Sequence, residues 1–167
     1  MDTFCEQLVK RAPTTKENIK KALILFLALF LGGIIFLLAS YYLGYIFGFL
    51  FGGVIFFLGF YLMGMYDYEY EYIVTNGEID IDKIIAKRKR KRILSVSAKS
   101  FTAFKKLLDS DKLSDQVMSI DVSDGIDVNK YYAEFKLKDQ RQIALIFSPD
   151  EKTLGSLNHY ISRTIRS

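Results

Sequence analysis

Tyr68-Glu69-Tyr70-Glu71-Tyr72-Ile73-Val74-Thr75-Asn76-Gly77-Glu78-Ile79-Asp80-Ile81-Asp82 is the stretch that decides the fold class. Tyr68, Tyr70, Tyr72 and Val74 alternate with other residues, Ile79 and Ile81 do the same after Asn76-Gly77, and a period of two marks a half-buried strand. Asn-Gly between alternating runs is the strongest short hairpin signal, because both turn positions need a positive φ. A two-residue turn sets Val74 against Ile79 and Tyr72 against Ile81, so register and apolar pattern agree.

On the N-terminal side the character changes completely. No Lys, Arg, Asp, Glu or His falls between Lys21 and Asp67. One helix over residues 22–66 would be roughly 68 Å long, against roughly 30 Å for the hydrocarbon core of a bilayer. Two transmembrane spans therefore fit, about 22–41 and 45–66, with the reversal at Ser40 to Tyr45 where tyrosines suit the headgroup level. The run is too long for a cleaved signal peptide. Lys10, Arg11, Lys16, Lys20 and Lys21 precede it and a basic region follows it, so the Lys/Arg bias predicts a multi-pass protein of the cell membrane with both termini cytoplasmic. Ala28 and Gly32, then Gly44, Gly48 and Gly52, have the spacing that lets helix backbones approach closely in lipid. They are expected to pack the spans on each other, or to join a second copy. Ahead of the spans, Thr3 and Glu6 have capping-box spacing, and Phe4, Leu8 and Ala12 share a helical face, which predicts a short amphipathic helix over residues 2–12. Thr14 and Glu17 form a second such pair and open the first span.

C-terminal to the hairpin signal, a strand is expected over Arg92 to Phe104 with Leu94, Val96 and Ala98 inward, followed by an acidic loop. Tyr131, Ala133, Phe135 and Leu137 alternate, as do Ile143, Leu145 and Phe147, and keeping both sets on one face needs a three-residue loop between them. Ser148-Pro149-Asp150-Glu151 has the composition of a helix start, and Leu154, Leu157, Ile161 and Ile165 give a helix over 149–165 its buried stripe. The expected organisation is an N-terminal segment and two-helix hairpin over residues 1–66, then a cytoplasmic α+β domain over 67–167.

The segment Tyr72 to Ile81, followed by Arg88-Lys89-Arg90-Lys91-Arg92-Ile93-Leu94-Ser95-Val96-Ser97, resembles bacterial membrane-anchored PH-like (pleckstrin-homology-like) domain proteins of a two-span kind. In that family a hydrophobic helix pair precedes a strand ending near Thr, a turn, a short strand, and a basic stretch leading into the next strand. The resemblance covers about Ala22 to Arg163, and Asp121-Val122-Ser123-Asp124-Gly125 departs from the commoner pattern. It implies a PH-like antiparallel β-barrel with a C-terminal helix, placed at a membrane. Such barrels serve many binding roles, so the fold does not choose among them.

Lys87, Arg88, Lys89, Arg90, Lys91 and Arg92 form an unbroken cationic run. On an anionic leaflet each is worth up to about 1 kcal/mol. The same run fits a solvated edge strand, where Lys and Arg discourage aggregation, and the two readings weigh equally. Nucleic acid is disfavoured, since the net charge is only +4 and no recognition motif accompanies the run. Asp109, Asp111, Asp115, Asp121, Asp124 and Asp127 lack the glycine spacing of a calcium loop. Cys5 is the single cysteine and His159 the single histidine, so no disulfide, zinc site or histidine-based triad is expected. No catalytic constellation and no cofactor motif stands out, and the protein is read as a non-enzyme. The leading expectation is a membrane-tethered adaptor whose PH-like domain binds a protein segment or an anionic lipid headgroup. The alternative is an auxiliary subunit of a membrane transporter or envelope complex that acts through its transmembrane helices, as a homo-oligomer or beside another protein.

Overall fold

A computed structural model describes residues 3–107, 117–126, 129–137 and 140–165. The chain divides into two compact units: Pro13–Tyr68, and Met1–Ala12 together with Glu69–Ser167.

The first unit is a helical hairpin. Thr14 caps helix α1 (Thr15–Leu43): its side chain accepts from the Glu17 N–H, and the Glu17 carboxylate accepts from the Thr14 N–H at 2.8 Å. Gly44, at φ 99°, supplies the one-residue reversal into α2 (Tyr45–Gly64). Both helices are long and apolar enough to cross a membrane. An ion pair between Lys21 and Asp67 joins the foot of α1 to the chain leaving α2.

The second unit holds two four-stranded sheets. The first consists of β1 (Phe4–Lys10), β2 (Tyr68–Thr75), β3 (Glu78–Ile85) and β4 (Lys89–Ser97), in that order across the sheet. The second contains β5 (Phe101–Lys106), β6 (Met118–Asp121), β7 (Tyr131–Lys136) and β8 (Gln142–Phe147), in the order β5-β7-β8-β6. Asn76 and Gly77 have φ of 50° and 85°, as the hairpin reading requires. Tyr72, Val74, Ile79 and Ile81 are all fully buried. The Leu137 N–H donates to the Arg141 carbonyl at 2.9 Å; the three-residue connection expected between β7 and β8 falls partly on residues outside the described ones.

Four expectations are corrected. Residues 4–10 form a strand, not a helix, and pair with β2 from Phe4↔Thr75 to Lys10↔Glu69. Phe4 and Leu8 fit a helical face, but Cys5 and Val9, at 1% and 5% exposure, also fit one side of a pleat, and the edge of β2 decides between the two. The first twelve residues thus belong with the sheets, and the domain they help build is interrupted by the hairpin. The sheets do not close into a barrel. β8 is paired by β7 on one edge and by β6, in parallel, on the other, so no edge of it remains for β1. The strand expected over Arg92 to Phe104 is broken by a 3₁₀ turn at Ala98–Ser100, which turns the chain from one sheet to the other. Helix α3 covers only Glu151–Asn158; its cap is Asp150, which accepts from the Thr153 N–H at 2.7 Å, and a separate 3₁₀ turn follows at Arg163–Ile165.

The core lies between the sheets and α3. Tyr72 and Phe147 meet edge to face at 5.9 Å, and Leu157 and Ile161 of the C-terminal segment are buried as well. The Tyr72 hydroxyl donates to the Val122 carbonyl at 2.5 Å and accepts from the Ser148 N–H at 3.3 Å. β1 is fastened by side chains to the far side of the domain: the Gln7 amide donates to the Ser148 carbonyl and accepts from the Asp150 N–H, both at 2.9 Å. Deleting residues 1–10 should therefore lower the thermal midpoint of the sheet domain and open Tyr72 to Phe147 to limited proteolysis. A midpoint equal to that of the full chain would show β1 to be dispensable.

Candidate interaction surface at the basic turn

β1 ends and β2 begins at one end of the first sheet, where Lys10 stands opposite Glu69. β3 runs back from the Asn76-Gly77 turn, so the β3–β4 turn comes to that same end, the end from which the chain leaves for α1 and returns from α2. The turn is closed by the Arg88 N–H donating to the Ile85 carbonyl at 3.0 Å. Its central residues, Ala86 and Lys87, have φ of 51° and 55°, although neither is glycine. Left-handed backbone costs an L-residue about 1–2 kcal/mol, and strain of this kind gathers at functional positions.

All six cations from Lys87 to Arg92 are exposed, but the pleat sorts them. A bulge shifts the β3–β4 register so that Ile81 faces Leu94 in the core while Asp82 faces Arg92 on the outer side. Arg92 pairs there with Asp82 and, at 2.9 Å, with Asp80. Arg90 reaches across β3 to Glu71 at 2.9 Å. Lys91 stands opposite Lys83, a like-charged pairing that a nearby anion relieves. Lys87, Lys89 and Lys91 form no salt bridge among the described residues.

Glu71 and Asp82, although on the outer side of the sheet, are 4% and 3% exposed. One oxygen of Glu71, Oε2, has no hydrogen-bond partner among the described residues. Burial raises the Glu71 carboxyl above its ordinary value; Arg90 works against that, while Glu6 and Asp82 reinforce it. Neither the buried state of these carboxylates nor their claim on two of the six cations was foreseen from the sequence. Their parity, opposite to the apolar set, marks only the outer side; the burial and the arginine partners leave no signal along the chain.

Ala28, Gly32, Gly48 and Gly52 are buried where α1 meets α2, and Gly59 joins them. A Cβ on Gly48 would strike Ser40 Oγ and the Phe36 carbonyl, and one on Gly59 would strike the Ala28 side chain. Gly44 is not part of this seam; it makes the reversal and has open space around it. Gly33 and Gly53 are likewise open. Asp109, Asp111, Asp115 and Asp127 lie outside the described residues. Asp121 and Asp124 serve their own turn, accepting from the Ser123 and Ile126 N–H groups at 2.9 Å. No group of His, Cys, Asp and Glu fit to hold a metal occurs among the described residues. Cys5 is a free, buried thiol, and His159 is exposed beside Tyr160.

Two four-stranded sheets with one closing helix and an inserted apolar helix pair fit a PH-like module, a class that is generally non-catalytic and binds. The chain belongs to the bacterial PH-like domain family (DUF6106), whose model matches residues 1–167. No curated protein and no solved structure matches it.

Two outcomes follow from this geometry. Gly48→Leu should destabilise the hairpin and Gly53→Leu should not, as read by thermal unfolding in detergent; equal effects would contradict the seam. Because folding raises the Glu71 pKa, its protonated form is the favoured one. Its stabilising contribution is present below the ordinary value of 4.5 and is lost as pH rises through the folded value above it. Wild type should therefore lose stability relative to Glu71→Gln as pH rises from about 4.5 upward. A difference that stays constant with pH would contradict the shift.

Proposed function

We propose that the protein is a non-enzymatic, membrane-tethered binding module whose PH-like domain works at the cytoplasmic face, with Lys87, Lys89 and Lys91 as its contact with anionic lipid. The observation that carries this reading is the position of the strained basic turn, at the sheet end where the chain departs into the apolar hairpin. The β1–β2 pairing supports the topology as well. It joins the residues just before α1 to those just after α2, so both ends of the hairpin emerge on the same side of any bilayer it crosses, in agreement with the Lys/Arg bias. Three lysines near an anionic leaflet supply up to about 3 kcal/mol, enough to orient a domain that is already tethered. A protein segment that docks on the same module remains within this reading, since an adaptor needs both a location and a partner.

A second reading, an auxiliary subunit of a membrane complex acting through its helices, draws on the open side of the hairpin. There Gly33 and Gly53 lie between Leu29, Phe36, Phe49 and Phe56 along an apolar groove. The two separate cleanly. Replacing Lys87, Lys89 and Lys91 with Gln should abolish the phosphatidylglycerol-dependent protection of residues 85–89 from hydrogen exchange in nanodiscs, and salt should weaken that protection in the parent. Unchanged protection in the variant would sink the lipid reading. Lys87→Gly should relieve the turn and stabilise the domain by up to about 1 kcal/mol while weakening lipid contact. A variant both less stable and equally well docked would show that the strain has no such role.

A further inference from the structure

We propose that Arg90 is a switchable member of the basic surface: while Glu71 holds it, it is withheld from the bilayer, and a proton on Glu71 releases it to an anionic lipid headgroup. The inference rests on the reading of the basic turn as a lipid contact, and it adds a proton to that contact.

The ion pair is lopsided. The Arg90 side chain is 57% exposed, whereas the Glu71 side chain is 5% exposed. The cation already faces water and can turn to another anion, but the carboxylate cannot follow it. Three charged groups bear on Glu71 from the strands around it. Glu6 on β1 lies diagonally across the β1–β2 pair, beside Leu8, which stands opposite Glu71. Asp82 comes from β3 and Arg90 from β4. Asp82 is already held by Arg92, which also binds Asp80, so Arg92 has two carboxylates to keep it when Glu71 titrates. Among the described residues, Arg90 forms its ion pair with Glu71 alone.

If Arg90 leaves, an ionised Glu71 remains buried beside two carboxylates, with Oε2 already lacking a partner. An unpaired buried charge is strongly disfavoured, so the departure of Arg90 goes with uptake of a proton. Proton binding at Glu71 and headgroup binding at Arg90 then promote each other, and by linkage the coupling is the same in both directions. Burial, with Glu6 and Asp82 behind it, raises the Glu71 carboxyl above its ordinary value and so favours the protonated form that lets Arg90 go. The step is a proton taken from solvent and an exchange of one anion for another at the guanidinium; no bond to carbon, oxygen or phosphorus changes.

The test uses the full chain in nanodiscs of phosphatidylcholine, with or without phosphatidylglycerol, and an environment-sensitive fluorophore on Ala86→Cys, the native Cys5 being buried at 1% exposure. Between about pH 8 and the ordinary carboxyl value of 4.5, phosphatidylglycerol-dependent docking should strengthen about fivefold, the worth of one added cation near an anionic surface. Glu71→Gln should dock at the acid level at both pH values, and Arg90→Gln at the alkaline level at both. The proposal is overturned if Arg90→Gln keeps the parent's pH response, or if inorganic phosphate with phosphatidylcholine discs reproduces it, which would make free phosphate the ligand. Should Glu71→Gln fail to fold, the parent and Arg90→Gln still decide the matter. Replacing Lys87, Lys89 and Lys91 with Gln separates the two ideas. If docking persists without the lysines, the lipid reading of the turn fails; if docking needs them but ignores pH, only the role of Arg90 and Glu71 fails.

Discussion

The pairing of β1 with β2 is the constraint on which the rest of the molecule depends. It brings together two segments that the whole apolar hairpin separates in sequence, and it makes the sheet domain a discontinuous body with the hairpin inserted between neighbouring strands. Sheet order, the inward face that buries Cys5 and Val9, and the anchoring of Gln7 beside α3 all follow from it. A hairpin attached by flexible linkers would leave the domain free to fold without regard to the helices. Here the two ends of the insert are fixed side by side by a ladder of backbone hydrogen bonds.

Electrostatics on the first sheet follows from pleat and bulge more than from charge count. The cationic run is uniform in sequence, yet its arginines at 90 and 92 are tied to Glu71, Asp80 and Asp82, while the lysines at 87, 89 and 91 project without ion pairs among the described residues. The bulge at β4 is what lets Leu94 remain in the core and Arg92 turn outward two residues earlier. A formal charge of +4 therefore conceals a local division of labour, in which arginine satisfies buried acids and lysine faces solvent. Arginine suits the first task because its planar fork keeps its geometry when partly desolvated.

Local signals were legible where one physical effect dominates. Asn76-Gly77 needs positive φ at both positions, and the uncharged stretch after Lys21 is too long for a single span, so hairpin turn and helix pair could both be read directly. Residues 4–10 misled because Phe4 and Leu8 satisfy a helical period while Cys5, Gln7 and Val9 satisfy an alternating one; the choice is made by β2, which lies beyond the hairpin. The barrel expectation failed on β6, a short strand that no periodicity announces and that occupies the last edge of β8. Of the surface, the basic run and the glycine spacing were visible as residue types. The Glu71–Arg90 link was not, because a contact across an intervening strand leaves no trace in spacing along the chain.

The insertion of the helices between β1 and β2 also orders events in time. β1 leaves the ribosome first but has no neighbour to join until the hairpin and then β2 have been made, so the earliest strand of the domain waits through the synthesis of both apolar helices. Closure of this long loop is a slow, non-local step. Maturation of the domain thereby becomes a report on the helices: a chain whose hairpin fails to fold back on itself keeps β1 from its mate and leaves Tyr72 and Val74 poorly covered and open to proteases.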